Sequence, residues 1–587
     1  MTIPGPRVCG ARPAGRHCRA ADAARRRVNL GAMPITVYAA RRILTLNPAQ
    51  PDATHVAVRD GRILAVGDDN RMAAWGAYTL DTTFADKVLL PGFVEGHCHL
   101  KEGGMWDMPY LGWFERRDPQ GRVWPGLRSM DAVIDRLAEI DAQMAAAGQP
   151  DTAPLITWGF DPIYFGGARM TVQHLDRVGH GRRPIVVAHS NGHLLNANSA
   201  MLAIAGVDAD TDVEGVVKFD HGPLQGQPTG ELQEPAAMSL VFRHVGNAGL
   251  LAPLDDAGLR AFGSIATLQG VTTATDLVNR LGERDLAVLR RNTEDDSFPV
   301  RILPAFQAFH GPHGAAAGAA HVQALLPTST DRLRFGLVKM MLDGSIQGYS
   351  ARLRWPGYIN GAPNGIWVTA PSQYEADFEV YHRAGLTIHT HTNGDEASLA
   401  AIDAVQRVLA RAPRPGHRHT LQHGQMIDRP MFHRMAALGL GVNLFANHIW
   451  YWGDQHHDMT MGPDRAHRLD DCRSALDAGV PLAVHSDAPV TPLAPLFAAW
   501  CAVNRVTPAG RVLGPSQRLR VDEALHAITL GPAWTLGLEH EIGSIEVGKR
   551  ADFAVLEDDP LAVDPMALKD VPVWGTVLSG RVFPAAG

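Results

Sequence analysis

Between residues 91 and 534, short apolar segments with strand character recur, most of them followed by a stretch of helical character. "LLPGFVEGHCH" opens the series. "GSIATLQGVTTATDL", "PVRILPAFQAF", "RLRFGLVKMMLDGS", "GLTIHTHTNGDEASLAAIDAVQRVLA", "HRHTLQHGQMI", "LGLGVNLFANHIW" and "DAGVPLAVHSDAPV" complete it, eight in all. Strands joined by helical crossovers run parallel, and a parallel sheet has to be covered by helices. Two architectures satisfy that: a closed (β/α)8 barrel and an open doubly wound sheet. No G-x-G-x-x-G follows a strand, so the dinucleotide-binding form of the open sheet loses its main support. The α/β class with a TIM-like (β/α)8 barrel over 91–534 is therefore predicted. One stretch, about 103–255, breaks the rhythm with strands of its own, "PLITWGF" and "RPIVVAHSNGH". It reads as an insertion between the first two barrel strands, over the mouth where lids and specificity loops belong.

The flanks differ from this middle. Residues 34–90 read as short strands, with Asp60-Gly61 as a hairpin turn, and 535–587 read the same way around Ser579-Gly580. Neither end has strands enough for a core of its own, which predicts one small β-sandwich assembled from both. Residues 1–33 are rich in Arg, Ala and Pro and lack the apolar region of a secretory signal. They read as a disordered or non-native extension, with Met33 as a candidate natural start and a basic targeting peptide as the alternative.

The net charge of −7 favours neither nucleic acid nor an anionic membrane, and no apolar run approaches the roughly 20 residues of a bilayer span. A small-molecule partner is the expectation, with a homodimer left open. Five scattered cysteines form no C-x-x-C pair and suit a reducing compartment, hence the cytoplasm. Histidine stands out instead, with 27 residues, many in clusters at the ends of the predicted strands.

Side chains at i and i+2 of a strand share a face, so His97 and His99 point together while Cys98 points away. Two imidazoles at the mouth of a barrel can grip one ion, and they can equally be a hydrogen-bonded strand end. "TIHTHTNGDE" repeats the pattern at His389 and His391, "RHTLQHGQ" offers His419 and His423, and "LAVHSDAPV" ends with His485 and Asp487 on one face. Lys339 in "FGLVKMML" shares its face with Phe335, Leu337 and Met341. Burial among them would lower its pKa and make the amine able to combine with carbon dioxide, unless the side chain snorkels out.

These segments resemble the amidohydrolase superfamily and, within it, the group of YtcJ-like and N-substituted formamide deformylase-like enzymes. The matching motifs are "LLPGFVEGHCHL", "VKMMLDGS", "HTNGDEA", "RHTLQHGQ", "HSDAPVTPL" and "IGSIEVGKRADFAVL", in family order from about residue 34 onward. The resemblance implies a metal-dependent hydrolase. In it His97, His99 and Asp487 bind a first divalent ion, and a carbamylated Lys339 bridges to a second held by His391 and His423. Zinc is the metal best suited to such ligands, in one or two copies. Water activated by the metal would attack a C–N bond of an amide, N-acyl or N-formyl compound, with Asp487 carrying the proton. A cyclic-amide hydrolase or deaminase, or an ester or lactone hydrolase, would use the same machinery. A ligand-binding relative without catalysis would lack ligands that are all present here.

Two positions depart from the family pattern: Gln422 stands where Glu is usual, and His485 where a small residue is usual. "HSNGHLLNANSAM" and "PTGELQE" resemble segments of the family's insertion, which makes Asn191, His193 and Glu234 substrate-side candidates. Trp113, Trp450 and Trp452 lie in aromatic-rich loops near the mouth and suggest an apolar or aromatic substrate wall; lid packing or a subunit interface would use them equally well.

Overall fold

The structure, a computed structural model, describes residues 34–245, 254–308 and 314–585. The expectation for residues 1–33 therefore lies outside the described residues. β1 (Thr36–Leu44), β2 (Asp52–Arg59), β3 (Arg62–Gly67) and β4 (Thr79–Pro91) come first. Asp60 and Gly61 both have positive φ, 53° and 70°, as the tight hairpin between β2 and β3 requires. β4 passes through Gly92 into β5 (Phe93–Glu95). A Cβ on Gly92 would sit 2.1 Å from Thr272 Oγ1, so the chain enters the barrel at a point where a side chain has no room.

The insertion follows. A small ribbon of β6 (Arg116–Arg117) with β7 (Val123–Trp124) precedes β8 (Leu155–Phe160), β9 (Ile185–His189), β10 (Leu194–Ala197), β11 (Val216–Lys218) and β12 (Pro228–Gln233). The last five form one sheet in the order β11-β12-β10-β9-β8. Alternation along β9 feeds a core on each face: Val186 packs with Leu195, Met201 and Leu232, while Ile185 and Val187 pack with Leu137, Leu155 and Phe160.

β13 (Val271–Asn279), β14 (Arg301–Gln307), β15 (Leu337–Met341), β16 (Thr387–Thr392), β17 (Thr420–His423), β18 (Gly441–Leu444) and β19 (Leu482–Val484) then join β5 in an eight-stranded sheet, parallel throughout. Each expected strand is present. The two ends of this sheet meet just past the strands: Asp487 N–H donates to the His97 carbonyl (3.0 Å), and His99 N–H donates to the Ala488 carbonyl (2.7 Å). Inside the barrel, Val94, Leu277, Leu303, Ala305 and Leu337 pack on Ala533, Leu536, Leu538 and Ile542, which form an apolar floor.

β20 (Phe553–Leu556), β21 (Val573–Leu578) and β22 (Arg581–Pro584) complete the first sheet, in the order β22-β21-β20-β4-β1-β2-β3. The expected sandwich is one continuous sheet folded over on itself. Its two hairpin turns meet where Gly61 abuts Ser579, and Tyr38 Oη donates to the Gly580 carbonyl at 2.8 Å. Leu89, Phe553 and Val555 face the core between the folded halves, and Val88, Leu90, Ala554 and Leu556 face the barrel's helices. Among the described residues no helix is long and apolar enough to cross a membrane.

Candidate metal centre

A cavity of about 380 Å³ opens at the C-terminal ends of the barrel strands. His97, His99, Lys339, His391, His423 and Asp487 line it together with Asn191 and His193 from the insertion. Six residues widely spread in sequence meet because five lie near or just beyond the ends of β5, β16, β17 and β19, which converge, while Lys339 reaches the same cavity from inside β15. His97, His99 and Asp487 place one ligand atom each within 4.8 Å of the others. Asp487 Oδ1 is 3.1 Å from His97 Nε2 and 3.3 Å from His99 Nε2, and its Oδ2 is 3.9 Å from His423 Nδ1. The His391 and His423 rings lie 4.4 Å apart, and Lys339 Nζ is 3.3 Å from His97 Nε2.

The hydrogen bonds behind these ligands decide which ring atoms face the cavity. Asn443 donates to Gln422 Oε1 (3.0 Å), and so does His97 Nδ1 (2.8 Å). A proton on Nδ1 leaves the His97 Nε2 lone pair turned to Asp487 and Lys339. The amide of Gln422 in turn donates to His389 Nδ1 (2.8 Å), whose Nε2 donates to the Thr535 carbonyl (3.1 Å). Gln422 and His389 thus form the layer beneath the cavity, between the ligands and the floor. His193 Nδ1 bonds to Glu234 Oε2 (2.9 Å), so Glu234 sits behind His193 and aims its Nε2 outward.

The charge state suits a cation. Burial, with the Lys339 charge, pushes His97 down to about 4, and burial takes His391 and His423 well below the ordinary range. Burial opposes a proton on His99 as well, but the bonds to Asp276 and Asp487 outweigh it and raise its pKa. Asp487 is desolvated too, yet His97, His99 and His423 hold its carboxyl well below the usual range. Burial brings Lys339 down to about 7. Neutral His97, His391 and His423 beside an ionised carboxylate offer lone pairs, and a divalent cation would take the place of the proton that Asp276 and Asp487 favour on His99. His423 and Asp487 also hold positive φ values of 66° and 51°, a conformation that costs of order 1–3 kcal/mol per non-glycine residue and collects at functional sites.

His485 does not line the cavity. Its ring stacks on His97, centroids 4.5 Å apart and planes 13° apart, with Phe445 on its other face at 4.8 Å. The nitrogens of His97, His423 and His485 are also close enough for an ion, but stacked rings put their lone pairs in nearly parallel planes that cannot meet at one point. His485 is therefore packing for His97. His419 is fully engaged elsewhere, with His382 at 2.9 Å and the Ile388 amide at 3.0 Å. Cys98 points out of the barrel interior, its thiol on the Thr275 carbonyl.

The tryptophans go elsewhere too. Trp113 stacks on Tyr164 and under Arg128, Trp450 packs on Phe497 and Trp500, and Trp452 is buried against Phe445 with its Nε1 on Asp161 (2.9 Å). The aromatic wall expected from them is replaced by Pro235, Ala236, Val278, Met341 and Val490. Aromatic loops of this length satisfy one another and the insertion before they reach the cavity. The sequence reading also passed over Lys101, Arg280 and Gln307, which line the cavity from the ends of β5, β13 and β14. Their position at or just past a strand end was the available signal.

Residues 85–584 match the sequence family described as the amidohydrolase family. The chain is 26% identical to the putative amidohydrolase YtcJ of Bacillus subtilis over 558 residues, covering 90% of this chain and 95% of that protein. It is likewise 26% identical to the N-substituted formamide deformylase of Arthrobacter pascens over 560 residues, covering 92% and 96%. Among solved structures, an uncharacterized metal-dependent hydrolase from Pyrococcus horikoshii OT3 superposes with a TM-score of 0.64 at 19% identity, covering 90% of this chain and 99% of that one.

Proposed function

The chain belongs to the amidohydrolase family, and from that premise we propose that it hydrolyses a C–N bond, in an amide, N-acyl or N-formyl small molecule, with the help of divalent metal. The observation that carries the reading is the cluster of four imidazoles around ionised Asp487, with His97, His391 and His423 held neutral and a half-neutral Lys339 beside them. His97, His99 and Asp487 would hold one ion, and His391 and His423 a second, with Lys339 between them as a carbamate. Zinc suits pairs of imidazoles completed by carboxylate or carbamate oxygens best. A divalent cation held there supplies Lewis acidity, which polarises a carbonyl and lowers the pKa of water from 15.7 to about 7.

The chain's own groups supply the rest. Asp487 is ionised at neutral pH and can take a proton from the attacking water, then return it to the departing nitrogen. His193 donates from Nδ1 to Glu234, whose charge outweighs burial and raises the imidazole's pKa, and in its protonated form it would present an Nε2–H to the cavity as a donor for the substrate carbonyl. Pro235, Ala236, Val278, Met341 and Val490 shield the reacting atoms from bulk water and receive the apolar part of the substrate. The similarity to a formamide deformylase supports the C–N class.

Elemental analysis of purified protein, paired with His97→Ala, tests this. One or two equivalents of divalent metal are expected, with metal lost and kcat/KM for an N-formyl or N-acetyl arylamine down at least about 100-fold in the variant. Metal-free wild type, or a fully active variant, overturns the proposal.

A further inference from the structure

The side of the cavity away from His391 and His423 carries charge of its own. Lys101 lies two residues past His99, beyond the end of β5, and Arg280 follows Asn279, the last residue of β13. β5 and β13 are neighbours in the barrel. Adjacent strand ends therefore deliver two cations to the same lip, and both line the cavity.

Among the described residues that line the cavity, Asp487 is the one carboxylate, and it is held by His97 and His99. Asp276 and Asp285 attract Lys101 but stand outside the lining. Asp276 accepts from Asn279 Nδ2 (2.9 Å) and faces His99 Nδ1 (3.8 Å), and Asp285 accepts the Leu254 amide (3.1 Å). Val278 shares the β13 face of Arg280 and joins Pro235 and Ala236 in an apolar stretch of the same cavity. The lining thus offers ion ligands, an apolar stretch and a basic lip. We propose that Lys101 and Arg280 form a subsite for an anionic group, so that the substrate is an amide bearing a carboxylate remote from its scissile bond. The identity of the scissile bond rests on the hydrolase reading above; the subsite rests on the lip.

4-Acetamidophenylacetate and N-acetyl-4-methylaniline differ only in the carboxylate, which lies across the ring from the scissile bond, and test the subsite on the metal-loaded enzyme. The acid should be favoured in kcat/KM by about tenfold, the discrimination expected from a charge-assisted hydrogen bond. The ratio should shrink as salt rises and fall toward one in the Lys101→Gln/Arg280→Gln double variant. A wild-type ratio near one, or a ratio that survives both substitutions, overturns the subsite. If neither compound is hydrolysed, binding of 3-phenylpropanoate against 3-phenylpropanamide to the same holoenzyme decides. A preference of about tenfold that the double variant abolishes keeps the subsite while the amide-hydrolase reading falls, and a preference that persists removes the subsite.

Discussion

Lys339 sits in a strand interior with Leu337 below it and Met341 above, and burial alone brings its amine to about 7. Below that pH the amine is protonated and has no lone pair for carbon dioxide; above it the lone pair is free. The neutral fraction rises from about a tenth at pH 6 to about nine-tenths at pH 8. Zinc uptake by metal-stripped protein at a fixed concentration of dissolved carbon dioxide should therefore be about tenfold faster at pH 8 than at pH 6. Lys339→Met should remove the carbon dioxide dependence, and uptake by the wild type that ignores carbon dioxide would remove the carbamate. The lysine was legible because a cation between apolar neighbours at strand spacing has few inexpensive explanations. Gln422 was legible only as a departure from a pattern. Its bridge from His97 to His389 depends on β17 lying between β16 and β18, a fact of the sheet that the local sequence does not contain.

The strand ends were the most readable elements, since the H-x-H spacing and the apolar run before it report one face of one strand. The insertion was readable as an interruption and not as a packing pattern. Whether a loop tryptophan faces a cavity or another ring is decided by neighbours distant in sequence: Tyr164 for Trp113, and Trp500 for Trp450. The tie between insertion and site is equally distant. Arg116, on β6, lies over the rings of Trp106, Tyr110 and Trp158, donates to the Pro489 carbonyl (2.6 Å) two residues after Asp487, and pairs with buried Glu102 (3.1 Å). Arg116→Ala would leave Glu102 buried without its counter-charge and release the loop that carries Asp487. A loss of about 3 kcal/mol is expected, seen as faster limited proteolysis within residues 103–245 together with a lower kcat/KM. Proteolysis at the wild-type rate would show that other contacts hold the insertion in place.

For the whole molecule, a buried ion pair ties the sheet built from both chain ends to the barrel. Arg301 on β14 is 1% exposed and reaches Asp552, just before β20, at 2.6 Å, with Thr273 Oγ1 at 2.9 Å on the same nitrogen. Asp552 in turn accepts the Ser579 amide (2.7 Å), and its carbonyl accepts the Gly92 amide (2.9 Å). Arg301→Met should cost about 3–5 kcal/mol by urea denaturation, because it strands a buried carboxylate. Adding Asp552→Leu should recover part of that loss. A double variant no more stable than the single would mean that the carboxylate's backbone contacts outweigh its partner. The pairing of the two chain ends was readable from strand counts, but this ion pair was not, since Arg301 and Asp552 are 251 residues apart.

The seam of the barrel has a further effect. The two backbone bonds that join the first strand to the last run between His97–His99 and Asp487–Ala488; three of those four residues are proposed ligands and the fourth adjoins one. Closing the cylinder and bringing the ligands together are therefore one event. A cation bound by both sides of the seam acts as a buckle: it favours the closed barrel over every opened form by RT ln(1 + [L]/Kd), about 4 kcal/mol at a thousandfold excess over Kd. Loss of metal would then be felt first as breathing along a single line down the wall of the barrel, at the amides of His99 and Asp487, while the opposite wall stays shut.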